Sequence, residues 1–136
     1  MPIQYRSDAL HRHLQSLHRG APDVRGSAII TEDGLVIAAY PPGWDGDIHD
    51  PTGGEHVAAM AAVIAGAAER TIERLEQGGL ERVLIEGENG IVAVFPVTKD
   101  ASLALLIAKD AKLGLTLHAA RQTAREIHTV LEQSRQ

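Results

Sequence analysis

The stretch Gly26–Pro41, GSAIITEDGLVIAAYP, sets Asp33-Gly34 between two apolar runs. An Asp-Gly pair in that setting is a hairpin signal, because both central residues of a type I′ turn need φ > 0. Ala28–Thr31 and Leu35–Tyr40 are therefore expected to pair as antiparallel strands. Neither run alternates: Ala28, Ile29 and Ile30, then Leu35, Val36, Ile37, Ala38 and Ala39, are continuously apolar. Strands of that kind are covered on both faces. The fold must supply a layer to each side of the hairpin.

The segments around it can supply those layers. A helix is expected from Ser7 to His18, with Ser7 as N-cap, Asp8 in the first turn and Leu10, Leu14 and Leu17 on one face. Gly20 and Pro22 end it. Pro41–Gly54 is rich in Pro, Gly and Asp and reads as a loop. Thr52 and Glu55 have capping-box spacing, so a second helix should run from Gly53 to about Gln77, with Gly78-Gly79 ending it. A second hairpin follows, with strands Arg82–Glu86 and Ile91–Val97 around Asn89-Gly90. Pro96 cannot donate to a ladder and belongs at a strand end or a bulge. A further strand, Leu103–Ala108, precedes a helix from about Gly114 to Glu132. That helix carries Leu113, Leu117, Ala120, Ala124, Ile127 and Leu131 at helical spacing. The order α-ββ-α-βββ-α, with short links inside each strand group, predicts an α+β domain over residues 1–136. It is a five-stranded antiparallel sheet in a helix–sheet–helix sandwich.

Composition narrows the function. The chain has 136 residues, 44% hydrophobic and 23% charged, which is enough for one packed domain. Its net charge of −5 and few, scattered aromatics argue against a nucleic-acid partner. With no cysteine, thiolate catalysis, disulfides and Cys-ligated zinc are excluded. No run is long enough for a membrane span, and the N-terminus lacks an apolar signal core, so a cytoplasmic location is expected. The seven histidines lack ligand spacing. His11 and His13 point to different sides of a helix, and His118 and His128 are almost three turns apart, so no metal site is expected. His49-Asp50 is an isolated dipeptide in a loop. No serine sits in a nucleophile elbow and no P-loop is present. No catalytic residue and no cofactor are assigned.

The ordered set of features resembles the roadblock domain, also called the dynein light chain roadblock-type domain. It comprises Gly26-Ser27-Ala28, Asp33-Gly34-Leu35 after a strand, the Ala-rich helix from Val57 to Ala68, and a strand reaching Ile85-Glu86. Asn89-Gly90 follows, then Lys109-Asp110-Ala111-Lys112-Leu113-Gly114 leading into the last helix. The resemblance covers about Leu10 to Leu131. It implies a sheet held between the middle helix and the two terminal helices. It also implies a homodimer, with the third strands paired across a two-fold and the middle helices side by side. For bacterial and archaeal members it implies action beside a small Ras-like GTPase, in some cases stimulating hydrolysis without an arginine finger. The family has no catalytic residues to carry over. The loop Pro41–Gly54 is longer than the family pattern needs.

The middle helix should say where a partner sits. Val57, Met60, Ala61, Ile64, Ala68, Ile72 and Leu75 form a stripe at helical spacing, expected to face the sheet. Ala58, Ala62 and Ala65 lie on one flank beyond it; Ala59, Val63 and Ala67 lie on the other. A helix apolar over more than half its circumference is buried on more than one side. The dimer interface is accordingly expected at Ala58, Ala62, Ala65 and Glu69, with Arg82, Val83, Leu84 and Ile85 of the edge strand. Trp44 is either a partner contact or an anchor folding its loop over the sheet edge. The expected function is a non-enzymatic homodimeric module that regulates or scaffolds a small GTPase. The alternative is a PAS-like small-molecule sensor, whose strand and helix order is similar but which needs a hollow that a flat Ala-rich helix leaves no room for.

Overall fold

The computed structural model describes residues 2–133 except 45, 47 and 48, with side chains from Ser7 onward. Its elements are α1 (Pro2–Gly20), β1 (Val24–Thr31), β2 (Val36–Tyr40), α2 (Gly54–Arg74), β3 (Val83–Glu86), β4 (Gly90–Thr98), β5 (Ala101–Ala108) and α3 (Leu113–Gln133). The strands form one antiparallel five-stranded sheet in the order β2-β1-β5-β4-β3. The expected element order and sandwich are both present. Helix α1 begins before Ser7, which therefore lies inside the helix and not at its cap.

The register divides the sheet into two unlike faces. Ile29, Phe95 and Leu103 stand in one row, and Ala93 and Leu105 in the next. They meet Leu10, Leu14 and Leu17 of α1 and Ile127 and Leu131 of α3 in one buried cluster. On the other face Ala28, Ala39, Ala104 and Val94 lie in one row. With Ile30 they meet Ala58, Ala61 and Ala65 of α2. Both faces of the first hairpin are covered, as its unbroken apolar runs require.

Several junctions differ from the sequence expectation. Gly34 alone in the first turn has positive φ (84°), so the turn is not type I′. Gly34 N–H donates to Thr31 O (3.0 Å) and Thr31 N–H to Leu35 O (2.9 Å). This is a three-residue hairpin loop closed by a left-handed glycine. The β4 irregularity falls between Pro96 and Thr98, the bulge that Pro96 requires. At the N-terminus of α2 the cap is Gly53, with no side-chain bond. Thr52 is held by Asp50 instead: its hydroxyl (2.8 Å) and its N–H (2.9 Å) both donate to Asp50 Oδ1. The helix starts one residue later than the expected capping box requires, so Thr52 lies outside the cap. At the other end of α2, Glu76 N–H donates to Glu73 O and Gln77 N–H to Ile72 O, with Glu76 at φ 56°. This is a Schellman closure. It ends α2 before the glycines expected to do so, with a glutamate in the position glycine usually takes.

Gly34 is constrained twice. Besides its φ, a Cβ there would lie 3.2 Å from the Ala59 Cα of α2. Gly34→Ala is expected to lower stability by about 1–3 kcal/mol, the range for a strained left-handed residue. Urea unfolding followed by circular dichroism checks this; a variant as stable as the parent would refute both constraints.

Candidate functional site

Helix α2 is rotated relative to the sequence expectation. Ala58 and Ala61 are 0% exposed and Ala65 is buried, all against the sheet. Met60 is 64% and Val63 71% exposed, and Leu75 also faces outward. Met60 and Leu75 are thus removed from the sheet-facing stripe, and Ala58 and Ala65 are added to it. Ala62 packs on the edge of the same cluster. Glu69 is exposed, and with Ala62 and Ala65 it lines a groove of about 540 Å³ whose far wall is the chain's own turns, Glu32-Asp33 and Lys99-Asp100. Of the flank expected to meet a partner, Ala58 and Ala65 are buried within the protomer, while Ala62 and Glu69 border this groove. The physical reason is size: Ala28, Ala39 and Ala104 of the sheet leave a shallow floor, which only small helix residues can approach closely. The larger side chains Met60 and Val63 are left outside. The alanines of β1, β2 and β5 are the signal in the sequence that could have set this phase.

Strand β3 pairs with β4 and forms one edge of the sheet. Its register opposite β4 puts Val83 and Ile85 on the α2 side and Leu84 on the α1/α3 side. Val83 is half-buried, whereas Leu84 (38%) and Ile85 (42%) are exposed. Arg82, just before the strand, is exposed. It joins Arg121, Arg125 and His128 around a groove of about 460 Å³ floored by Phe95, Pro96 and Val97. Outward Met60 and Val63 on α2, and the apolar edge β3, are among the features that packing within the protomer leaves unexplained, as are exposed Leu35, Leu75 and Leu115.

Trp44 folds back. Its indole N–H donates to Thr52 O (3.0 Å), and its ring lies on Gly26, where a Cβ would come within 2.6 Å of it. Of the two readings for Trp44, this geometry is the loop anchor. Asp50 of the same loop has its carboxyl held below the usual range, first by the Thr52 backbone N–H and then by the Thr52 hydroxyl.

Several helix histidines have hydrogen-bond partners. His18 Nε2 is 2.8 Å from the Ser27 hydroxyl, which is fully buried on β1, and its ring packs at 4.5 Å from Tyr40. Burial lowers the His18 pKa, opposed by a hydrogen bond to the Val24 backbone. His13 Nδ1 meets Glu126 at 2.8 Å, joining α1 to α3. His128 Nδ1–H donates to Val97 O at 2.7 Å. Among the described residues no three His, Asp or Glu side chains gather as a metal site, and no helix is long and apolar enough to cross a membrane.

The pattern of the Roadblock/LC7 domain matches residues 12–107, most of the chain. The chain belongs to the Roadblock/LC7 family. It is 38% identical over 108 residues to the uncharacterised protein MJ0714 of Methanocaldococcus jannaschii, covering 79% of this chain and 82% of that one. This Roadblock/LC7 domain has the same fold as the gliding protein MglB of Thermus thermophilus. The TM-score there is 0.80 at 18% identity, over 94% of this chain and 92% of the other. MglB solved in a tetrameric arrangement gives a TM-score of 0.81 at 19% identity, over 95% and 92%. A Roadblock/LC7 domain from Streptomyces avermitilis gives 0.77 at 18% identity, over 90% and 97%.

Two expectations follow from the loop and the histidine. Trp44 is the chain's one tryptophan, so its fluorescence reports the loop. Gly26→Val should displace the ring and shift its emission to the red while far-ultraviolet circular dichroism is retained; unchanged emission would refute the anchoring contact. Burial disfavours the protonated form of His18 in the fold, whereas the unfolded chain takes up a proton near the usual 6.5. Its contribution is therefore complete above about pH 6.5 and lost as pH falls through the window below it. His18→Gln should reduce the loss of stability between pH 7 and about pH 5; identical pH profiles for the two proteins would refute this.

Proposed function

We propose that this Roadblock/LC7 domain is a non-enzymatic, homodimeric interaction module that binds and regulates a small Ras-like GTPase in the cytoplasm. The observation that carries the reading is the placement of Met60, Val63, Leu84 and Ile85, large apolar groups turned outward on α2 and the sheet edge. Met60 and Val63 lie one turn apart on α2 and Leu84 and Ile85 adjoin on β3, and apolar groups exposed together in this way mark interaction surfaces. An edge strand that pairs with its own symmetry mate removes the liability of an open ladder and closes the assembly. The dimer surface on α2 is reassigned from Ala58, Ala62, Ala65 and Glu69 to Met60, Val63 and the neighbouring Ala59 and Ala67. Arg82, Val83, Leu84 and Ile85 keep their place in it. The description of one MglB structure as tetrameric is in keeping with self-association in this fold.

The GTPase as second partner rests on family membership. Ser27, the serine that His18 touches, is fully buried on β1 and out of a substrate's reach, and a regulatory effect would come from positioning the GTPase's catalytic groups where charge develops. The sensor reading is disfavoured by Ala58 and Ala61, whose burial directly on the sheet leaves no hollow under α2. A pull-down from native lysate in GDP and in a GTP analogue tests the partner. Nucleotide-dependent capture of a small GTPase is expected; capture indifferent to nucleotide would count against regulation.

The dimer has its own test. The parent should sediment near twice 14.6 kDa. Val63→Glu puts a charge on the outward face and should give a folded monomer. Ala58→Glu buries a carboxylate in the helix–sheet contact and should unfold the chain, since an unpaired buried charge costs several kcal/mol. A Val63→Glu protein that remains dimeric would remove this face of α2 from the interface.

A further inference from the structure

The groove beside β3 is basic in a protein of net charge −5. Arg82, Arg121 and Arg125 line it with His128, against a single lining acid, Glu81. Among the described residues no salt bridge joins Arg82, Arg121 or Arg125 to a carboxylate of their own protomer. Further acids lie at the other end of the same strand: Glu86 closes β3 and Glu88 sits in the turn after it. Glu81 and Arg82 thus precede β3 and Glu86 and Glu88 close and follow it, so that the alternate residues Arg82, Leu84, Glu86 and Glu88 carry positive charge at one end and negative charge at the other.

Symmetry restricts how two such strands can pair. In an antiparallel ladder, neighbouring residue pairs alternate between hydrogen-bonded and non-hydrogen-bonded. A two-fold axis normal to the sheet makes each pair equivalent to its exchanged copy. Facing residues must then differ by an even number, and one residue faces itself on the axis. An axis at Arg82 or Glu86 would set like charges directly opposite, which is destabilising. An axis at Val83 would set Arg82 against Leu84. An axis at Leu84 sets Arg82 against Glu86, and an axis at Ile85 sets it against Glu88. The two remaining central positions of the strand both bring an acid of one copy to the arginine of the other.

We propose that the acidic end of β3 from a second copy, Glu86 or Glu88, seats in the basic groove against Arg82, with Arg121 and Arg125 behind it, and that this charge pairing sets the register of the dimer. The proposal rests on the homodimer reading above and adds to it the contact that fixes alignment.

The absence of cysteine allows a direct test. Facing Cα atoms in a ladder lie about 4.5–5.5 Å apart, within disulfide range, and only the residue on the axis faces itself. Leu84→Cys or Ile85→Cys, one of the two, should give a covalent dimer under mild oxidation. Arg82→Glu should weaken dimerisation about tenfold, equivalent to about 1.4 kcal/mol, and Glu86→Arg with Glu88→Arg should do the same. The variant carrying all three changes should return to near the parent value. A dimer that cross-links at Leu84 or Ile85 but whose dissociation constant ignores Arg82→Glu, or is not restored by the triple change, would overturn the charge pairing and leave the dimer standing. A dimer that cross-links at neither position would overturn β3 pairing. A parent that sediments as a monomer would remove the dimer reading and this inference together.

Discussion

The central strands must be buried on two faces at once, and the two faces are filled with side chains of different size. Against α1 and α3 the sheet presents Ile29, Phe95, Leu103, Leu105 and Ile107, matched by leucines and Ile127. Each such residue contributes roughly 1.5–3 kcal/mol on burial. Against α2 it presents chiefly Ala28, Ala39 and Ala104, matched by Ala58, Ala61 and Ala65. A layer of alanines brings helix and sheet close but buries less apolar area per residue. The protomer therefore holds α1 and α3 through bulk and α2 through proximity. Close approach is also why Gly34 meets the Ala59 backbone and why the loop that delivers α2 is pinned by Trp44 over Gly26.

Much of this was legible in the sequence. Unbroken apolar runs separated by Gly-containing turns fix the strands, and leucines at helical spacing fix α1 and α3. Pro96 marks its own bulge. The phase of α2 was not legible by the same means. Almost every residue from Val57 to Ala68 is apolar, so periodicity offers no preferred face. Ranking by size then selects the wrong one, because Met60 and Leu75 outweigh Ala58 and Ala65 in any count of apolar surface. What sets the phase is the size of the sheet residues beneath, a non-local property. The caps were not legible for a local reason: Asp50 folds Thr52 into an Asx turn, which leaves Gly53 as the residue that enters the helix. His18 and Ser27 are each ordinary as single residues. Only the return of β1 under the end of α1 makes them a buried pair.

The edges of the sheet are handled in opposite ways. The β2 edge runs directly into Pro41-Pro42, residues that cannot donate to a ladder, and α1 packs against it. The β3 edge has neither device. Its protection against promiscuous pairing is charge, but of a particular arrangement. An edge bearing charges of a single sign repels every copy of itself. One that is positive at one end and negative at the other repels a parallel mate, and a mate slipped so that like charges face, while accepting an antiparallel mate in a narrow range of registers. Four residues of strand supply too little hydrogen bonding to specify alignment unaided, and Leu84 and Ile85 are too alike to distinguish one register from the next. Charged residues at the two ends can make that distinction at the rim while the apolar centre, with the outward residues of α2, contributes the area.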